Sequence, residues 1–322
     1  MTRPIVVLGG YGRIGRLCVQ ELVARTRAPI KIAGRNAQRA ESVALSFEAR
    51  ASASYTDASQ PRVLARTLEG AAAVVACCGG DLGGALQTAL ELRVPFVGLS
   101  PISLGARGRA HVGELAWKAQ VPIVLHAGAL PGIPGLLAES LVRRLPAIRR
   151  LEIASTGPFA ASDTARRDQG AARESLAAGA ALPRRLPELW SFAEPVGRRA
   201  LVRGSSADLE GFTASHLVDE LRYLEPPQGW LARAFASALR AAGGPGFAVA
   251  ARAFGAASEP EAEIEVGADD SLLPAAALAT AIVAALLDGQ VQAGLASARE
   301  AISPALALGE LEKRGIRVSV RS

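Results

Sequence analysis

The stretch PIVVLGGYGRIGRLCVQELV, Pro4–Val23, decides the fold. Ile5–Leu8 is an uninterrupted apolar run, which reads as a short strand buried on both faces. Ile14, Leu17, Cys18 and Leu22 then recur at helical spacing. Between the two lies GYGRIG, the pattern G-x-G-x-x-G, with Gly10, Gly12 and Gly15 at its fixed positions. Alone the pattern is weak; at the end of a strand and the start of a helix it marks a dinucleotide site. Gly10 permits the tight turn, Gly12 keeps a side chain away from a pyrophosphate, and Gly15 lets the helix approach the strand. The helix start supplies unsatisfied N–H groups and a positive dipole end. The competing reading is a glycine turn with no ligand. Gly9, Gly12 and Gly15 also fit G-x-x-G-x-x-G, the spacing of short-chain dehydrogenases. That class needs Tyr-x-x-x-Lys, and none of Tyr11, Tyr55 and Tyr223 has a lysine four residues on.

Outward from this stretch the pattern repeats. APIKIAGR, ASASYTDAS, AAAVVACCGG, VPFVGLS and VPIVLHAGALPG read as five further strands. Helical runs AQRAESVALSF, PRVLARTLEG, GALQTALELR and RAHVGELAWKAQ separate them. Strict alternation with near-continuously apolar strands predicts an α/β domain, a doubly wound parallel Rossmann sheet. After Arg150 the alternation stops. RRLEIAST, RALVRG and AEIEVGA are strand-like, separated by segments rich in Pro and Gly. This predicts a second, α+β domain for substrate binding or dimerisation. Two helices, Leu273–Asp288 and Ala305–Arg314, are expected to end the chain and return to the first domain. The expected boundaries are 1–147 with 270–322, and 148–269.

Composition narrows the classes. The 322 residues are 50% hydrophobic, enough for a large core. The net charge is +6 and the pI about 9.8. The positive charge is almost all arginine, spread along the chain without a basic block, so no nucleic-acid partner is expected. Cys18, Cys77 and Cys78 give neither a disulfide framework nor a metal-ligand spacing. No metal is expected, and the location expected is cytoplasmic. MTRPIVVLGG leads straight into the glycines and does not read as a signal peptide. Leu272–Leu287 is too short and too alanine-rich for a membrane span and reads as a buried helix.

The nucleotide is read at the end of the second strand. An NAD site places an acid there for the ribose 2′-hydroxyl. Here the sequence is IAGRNAQRA, with no acid from Ile30 to Arg39. Arg35 can stack on adenine and pair with a 2′-phosphate, and Asn36 can add a hydrogen bond, so NADP is expected. A surface arginine is the competing reading.

VVLGGYGRIGR, IAGRN, YTDAS, AAVVACCGG and VPIVLHAGALPGIPGLLAESL occur in the order and spacing of the saccharopine dehydrogenase-like NADP-binding proteins. The tail from IVAALLDGQVQAG to ISPALALGELEKRGIRV also resembles that family. The resemblance covers the first domain and the tail and becomes thin from Leu151 to Val266. It implies that Gly10, Tyr11, Gly12, Arg13, Ile14 and Gly15 hold the pyrophosphate, and that Gly34, Arg35 and Asn36 hold the 2′-phosphate. It implies adenine contacts for Asp57 and Ala58, and a nicotinamide-ribose neighbourhood for Cys78, Gly79 and Gly80. Pro131 and Gly132 would face the nicotinamide. Two departures stand out: FVGLSPIS lacks the acid that many relatives carry after the fifth strand, and the second domain shows no matching substrate signature.

Candidates for the chemistry follow by position. His126 on the sixth strand is a candidate proton donor or, sharing a face with Val124, a buried core histidine. Cys77 and Cys78 end the fourth strand and are either a thiolate nucleophile or core residues. Ser100 and Ser103 follow the fifth strand and can contact substrate or cap a turn. Arg166 and Arg167 can clamp a substrate carboxylate or face solvent. His111 and Lys118 read as surface. The resemblance implies an oxidoreductase moving hydride between NADPH and a C=N bond of a small molecule, with C=C reduction as a variant. A non-catalytic NADPH-binding sensor is the alternative from another class, and a homodimer through the second domain is expected.

Overall fold

A computed structural model of the 322-residue chain describes residues 2–79, 82–102, 104–157, 187–227 and 244–321, with nothing said of the Ala106 side chain. Gly80, Ser103, Arg166 and Arg167 lie outside the described residues. The described parts form two compact units. The first is drawn from Met1–Gly128 and Ala275–Ser303, the second from Ala129–Ala161, Gly170–Pro274 and Pro304–Ser322.

The first unit is the expected parallel sheet. Its strands β1 (Ile5–Leu8), β2 (Ile30–Gly34), β3 (Ala51–Tyr55), β4 (Ala73–Ala76), β5 (Phe96–Gly98) and β6 (Pro122–Leu125) alternate with helices α1 (Arg13–Arg25), α2 (Ala37–Leu45), α3 (Pro61–Leu68), α4 (Gly83–Glu91) and α5 (Gly105–Ala119). All residues of β1 and β4 are buried, as continuous apolar strands require. A seventh strand, β13 (Gly294–Ser297), pairs parallel with β6 and closes that edge. The short sequence GLAS, with glycine and no β-branched residue, gives no strand signal of its own; pairing imposes it. The order is β13-β6-β5-β4-β1-β2-β3, so the chain reverses direction across the sheet between β1 and β4. In such sheets ligands bind outside the carboxyl ends at that switch point.

The second unit holds a mixed sheet of β7 (Ile148–Ser155), β8 (Glu188–Ser191), β9 (Arg198–Arg203), β10 (Val218–Glu225), β11 (Phe247–Phe254), β12 (Ala262–Ala268) and β14 (Arg317–Arg321). Its order is β14-β12-β11-β7-β10-β9-β8, with β7 and β10 parallel and the other pairs antiparallel. Register sets Arg222 opposite Glu152, Glu152 opposite Arg252, and Arg252 opposite Glu263. Opposite residues share a face, so this row alternates in charge, with Arg222–Glu152 and Arg252–Glu263 contacts of 3.3 Å.

The boundaries differ from expectation for packing reasons. Helix α6 (Ile133–Arg144) is buried from Ile133 to Leu141 and packs on β7, β11 and β12, which puts it in the second unit. The C-terminal segments divide. Most of the helix Leu272–Leu287 belongs to the first unit, but Pro304–Glu312 packs on α6, and β14 joins the edge of the second sheet beside β12. No helix among the described residues is long and apolar enough to cross a membrane.

Candidate functional site

The site begins at the carboxyl end of β1. Gly9 adopts φ +74°, a left-handed conformation, and its N–H is donated to the Ala33 carbonyl at 2.7 Å. The loop turns back on itself, with Gly12 N–H on the Gly9 carbonyl at 2.9 Å. A Cβ on Gly15 would stand 2.2 Å from the Gly9 oxygen and 2.7 Å from the Gly10 Cα, so α1 can sit against this loop only with glycine there. A Cβ on Gly12 would meet only the Gly9 oxygen, at 3.1 Å. Helix α1 is capped by Gly12, which has no side chain to bond its first-turn N–H groups, and the first turn carries no acid. A helix start in this state suits an anion. Arg13 is exposed, and Ile14 and Tyr11 are half-buried.

Tyr11 links this loop to β2. Its ring lies over Gly34, where a Cβ would come within 2.4 Å of Cε1. Its hydroxyl accepts the Asn36 N–H at 3.3 Å. Asn36 caps α2, its Oδ1 accepting the Arg39 N–H at 2.9 Å. That leaves the amide nitrogen of Asn36 as the donor of the expected phosphate contact. Arg35 is exposed at the end of β2. Asp57 lies two residues beyond β3, rather than on it, and its Oδ1 accepts the Ser59 N–H at 3.0 Å and the Ser59 hydroxyl at 2.7 Å. These two bonds, with a smaller contribution from the charge of Arg35, hold its carboxyl below the usual aspartate value. The resemblance implies an adenine contact for Asp57; Ser59, which fixes its carboxylate, is not among the residues it implies. Ala58 is half-buried, and its carbonyl is 3.6 Å from where a Gly84 Cβ would stand.

At the switch point, Cys77 and Cys78 follow β4, which ends at Ala76. The Cys77 N–H is donated to the Leu8 carbonyl at 2.9 Å. Its thiol is pushed well up by a hydrogen bond with Cys18 and by burial, so it stays protonated and is a poor nucleophile. Cys78 lies beside the loop: a Cβ on Gly9 would come within 3.0 Å of its Cβ. Gly79 is half-buried. The Ser100 hydroxyl is donated to the Cys78 carbonyl at 3.4 Å, joining the ends of β5 and β4. His126 is not on the sixth strand. β6 ends at Leu125, and His126 turns to φ +58°, which breaks the alternation that paired it with Val124; it is 1% exposed. His111 and Lys118 are exposed, and Lys118 pairs with Glu114 at 2.5 Å.

In the second unit, Pro131 and Gly132 are buried and lead into α6. The Gly132 N–H is donated to Asp208 at 2.8 Å, a partner that sequence could not supply because it lies 76 residues on. Near the ends of β7 and β10, the buried hydroxyls of Ser155 and Tyr223 share a 2.9 Å hydrogen bond. Among the described residues no cluster of three His, Cys, Asp or Glu is arranged to hold a metal ion.

Residues 9–93 match an NAD(P)H-binding family. No curated protein sequence matches the chain. Saccharopine dehydrogenase (L-Glu forming) from Saccharomyces cerevisiae has a similar structure, with TM-score 0.67 and 12% identity over 99% of this chain and 100% of that one. The WlbA (WbpB) dehydrogenase from Thermus thermophilus, solved with NAD and UDP-GlcNAcA, gives TM-score 0.52 at 14% identity, covering 97% and 95%. GenD2 from gentamicin A biosynthesis, solved with NAD, gives 0.51 at 15%, covering 100% and 97%. The chain therefore has the fold of saccharopine dehydrogenase, with an NAD(P)H-binding domain at its N-terminal end.

Proposed function

We propose that the protein is an NADP-dependent oxidoreductase that transfers hydride between NADPH and the C=N bond of a small imine. The observation that carries the cofactor is the start of α1, with no side-chain cap and no acid, at the switch point between β1 and β4. Arg35 is exposed at the end of β2, where an NAD site places an acid, and this supports the 2′-phosphate. Gly10–Gly15 hold the pyrophosphate in this reading, Gly34–Asn36 the 2′-phosphate, and Asp57 and Ala58 the adenine side. Cys78 and Gly79 flank the nicotinamide ribose. The bound cofactor supplies the hydride, and the protein supplies position. The product amine also needs a proton, for which His126, buried just past β6, is the candidate within the first unit. The C=N assignment is drawn from the motif resemblance.

The test is titration with NADPH and NADH, wild type beside Arg35→Ala, followed by turnover of a cyclic imine and of an enoyl thioester. The wild type is expected to prefer NADPH by at least about tenfold, or about 1.4 kcal/mol, and the variant to lose that preference. Equal binding of both nucleotides would sink the NADP assignment. Tight NADPH binding without oxidation by either probe would turn the reading toward a sensor.

A further inference from the structure

Residues 206–217 lie between β9 and β10 and meet α6 at two places, all within the second unit. At one end Asp208, in the one-turn helix Ala207–Leu209, accepts the N–H groups of Gly132 and Gly135 at 2.8 and 2.7 Å. At the other end stands His216, just after the short helix Phe212–Ser215. Its ring stacks on the buried ring of Phe212, with centroids 4.2 Å apart. Its Nδ1 lies 3.1 Å from the Phe212 carbonyl oxygen, and its Nε2 lies 3.1 Å from Oε2 of Glu139 on α6. The other Glu139 oxygen accepts the Arg143 Nε–H at 2.8 Å. Glu139 is 8% exposed.

Both ring nitrogens of His216 thus face acceptors. A neutral imidazole has one N–H and serves the carbonyl or the carboxylate, with a lone pair set against the other oxygen; the imidazolium serves both. The remaining charged groups nearby are Arg143 on α6, Asp208 and the exposed Glu210 at the one-turn helix, and two on β10, which packs on the short helix. Those two are the exposed Asp219 and Glu220, the latter paired with Arg222 at 2.7 Å. Among the described residues Glu139 is the one ion-pair partner of His216. We infer that His216 is a proton-operated latch: with both ring protons it pins the end 212–217 to α6, and loss of one releases that end. Asp208 bonds main-chain N–H groups, which do not titrate, so the first end stays docked. The latch binds a proton in the docked state. Its contribution is therefore full below the ordinary histidine value of about 6.5 and is lost as pH rises. Opening begins beside Leu217, which is 99% exposed, and takes from Phe212 the ring stacked on it.

The test is hydrogen–deuterium exchange of the full chain at about pH 5.5 and about pH 8, either side of the ordinary histidine value, with rates corrected for intrinsic exchange. The N–H groups of Ser215, His216 and Val218 report on the latch, being donated to the carbonyls of Gly211, Phe212 and His216. Their protection is expected to fall by about tenfold at the higher pH, while the amides of β11 keep theirs. Glu139→Gln is expected to remove that pH dependence, because glutamine can donate its amide N–H to a neutral Nε2 and keep its oxygen for Arg143. Equal protection of the wild type at both pH values would overturn the latch. A parallel loss in β11 would assign the change to global opening and overturn it too, as would a Glu139→Gln variant with the wild-type pH dependence. If that variant does not fold, His216→Gln decides. Its amide can donate to Glu139 at either pH, so protection should be the same at both; a fall like that of the wild type would place the titrating group elsewhere and overturn the latch.

Discussion

Two helix starts in this molecule are treated in opposite ways. At α1 the first turn follows three glycines and has neither a side-chain cap nor an acid. At α6 the first turn also follows a glycine, yet Asp208 occupies it from a segment far along the chain. One start is left for an anion from outside; the other is filled from within. The same division runs through the two units. In the first, the glycine loop is closed by main-chain bonds, from the N–H groups of Gly9, Gly12 and Cys77. In the second, side chains make the buried contacts: Asp208 at the start of α6, and Ser155 with Tyr223 near the ends of β7 and β10. A main-chain site needs residues that stay out of the way. A side-chain site needs partners brought together by tertiary structure.

The comparison breaks most readily at Gly15. Gly15→Ala forces α1 away from the loop, an overpacking that costs about 1–3 kcal/mol, against about 1 kcal/mol gained in helix propensity. NADPH affinity is expected to fall by at least about tenfold, measured by fluorescence titration. Unchanged affinity would mean that the loop tolerates a side chain and does not hold the phosphates through its close packing. A smaller effect is expected at the hydroxyl pair of the second unit. Tyr223→Phe leaves the buried Ser155 hydroxyl short of a partner and should destabilise by about 1–2 kcal/mol in denaturant unfolding. Adding Ser155→Ala should recover part of that loss, and strictly additive effects would show that the pair is not coupled.

The smallest effect is expected at Glu265, a carboxylate on β12 that is 7% exposed and accepts the Ala193 N–H at 2.9 Å. Burial pushes its carboxyl above the usual glutamate value. The folded protein therefore holds this proton more tightly than the unfolded chain does. Stability from this group is full below the ordinary glutamate value and is lost as pH rises through the raised one. Glu265→Gln keeps an acceptor for Ala193 and should raise Tm by about 2 °C at neutral pH, with the gain fading in acid. A gain that persists unchanged at low pH would assign it to packing instead.

The first unit was legible because its signals are local. An apolar strand, three glycines and a helical period fall within twenty residues of one another, and IAGRN places Arg35 by simple counting. What escaped was contributed from a distance. β13 has no strand-like sequence, and β6 imposes its conformation. β14 pulled the tail into the second unit by pairing with β12. His126 was read as a strand residue because the apolar run VPIVL continues smoothly into it, and no local signal announces a left-handed turn at a histidine. Asp208 sits in SSADLEGF, a polar segment that reads as a loop; its partners Gly132 and Gly135 are visible only in three dimensions.

The late arrival of β13 bears on how the chain is made. β6 emerges early in synthesis, with Ile123, Val124 and Leu125 buried in the finished sheet. The strand that covers its outer edge, Gly294–Ser297, follows most of the second unit in sequence. At ordinary ribosomal speed that edge waits for roughly 10–30 s. An open apolar edge is a template for pairing with another chain. The nascent protein is therefore most exposed to misassembly while its second unit is being translated, and slow codons in that stretch would lengthen the exposure.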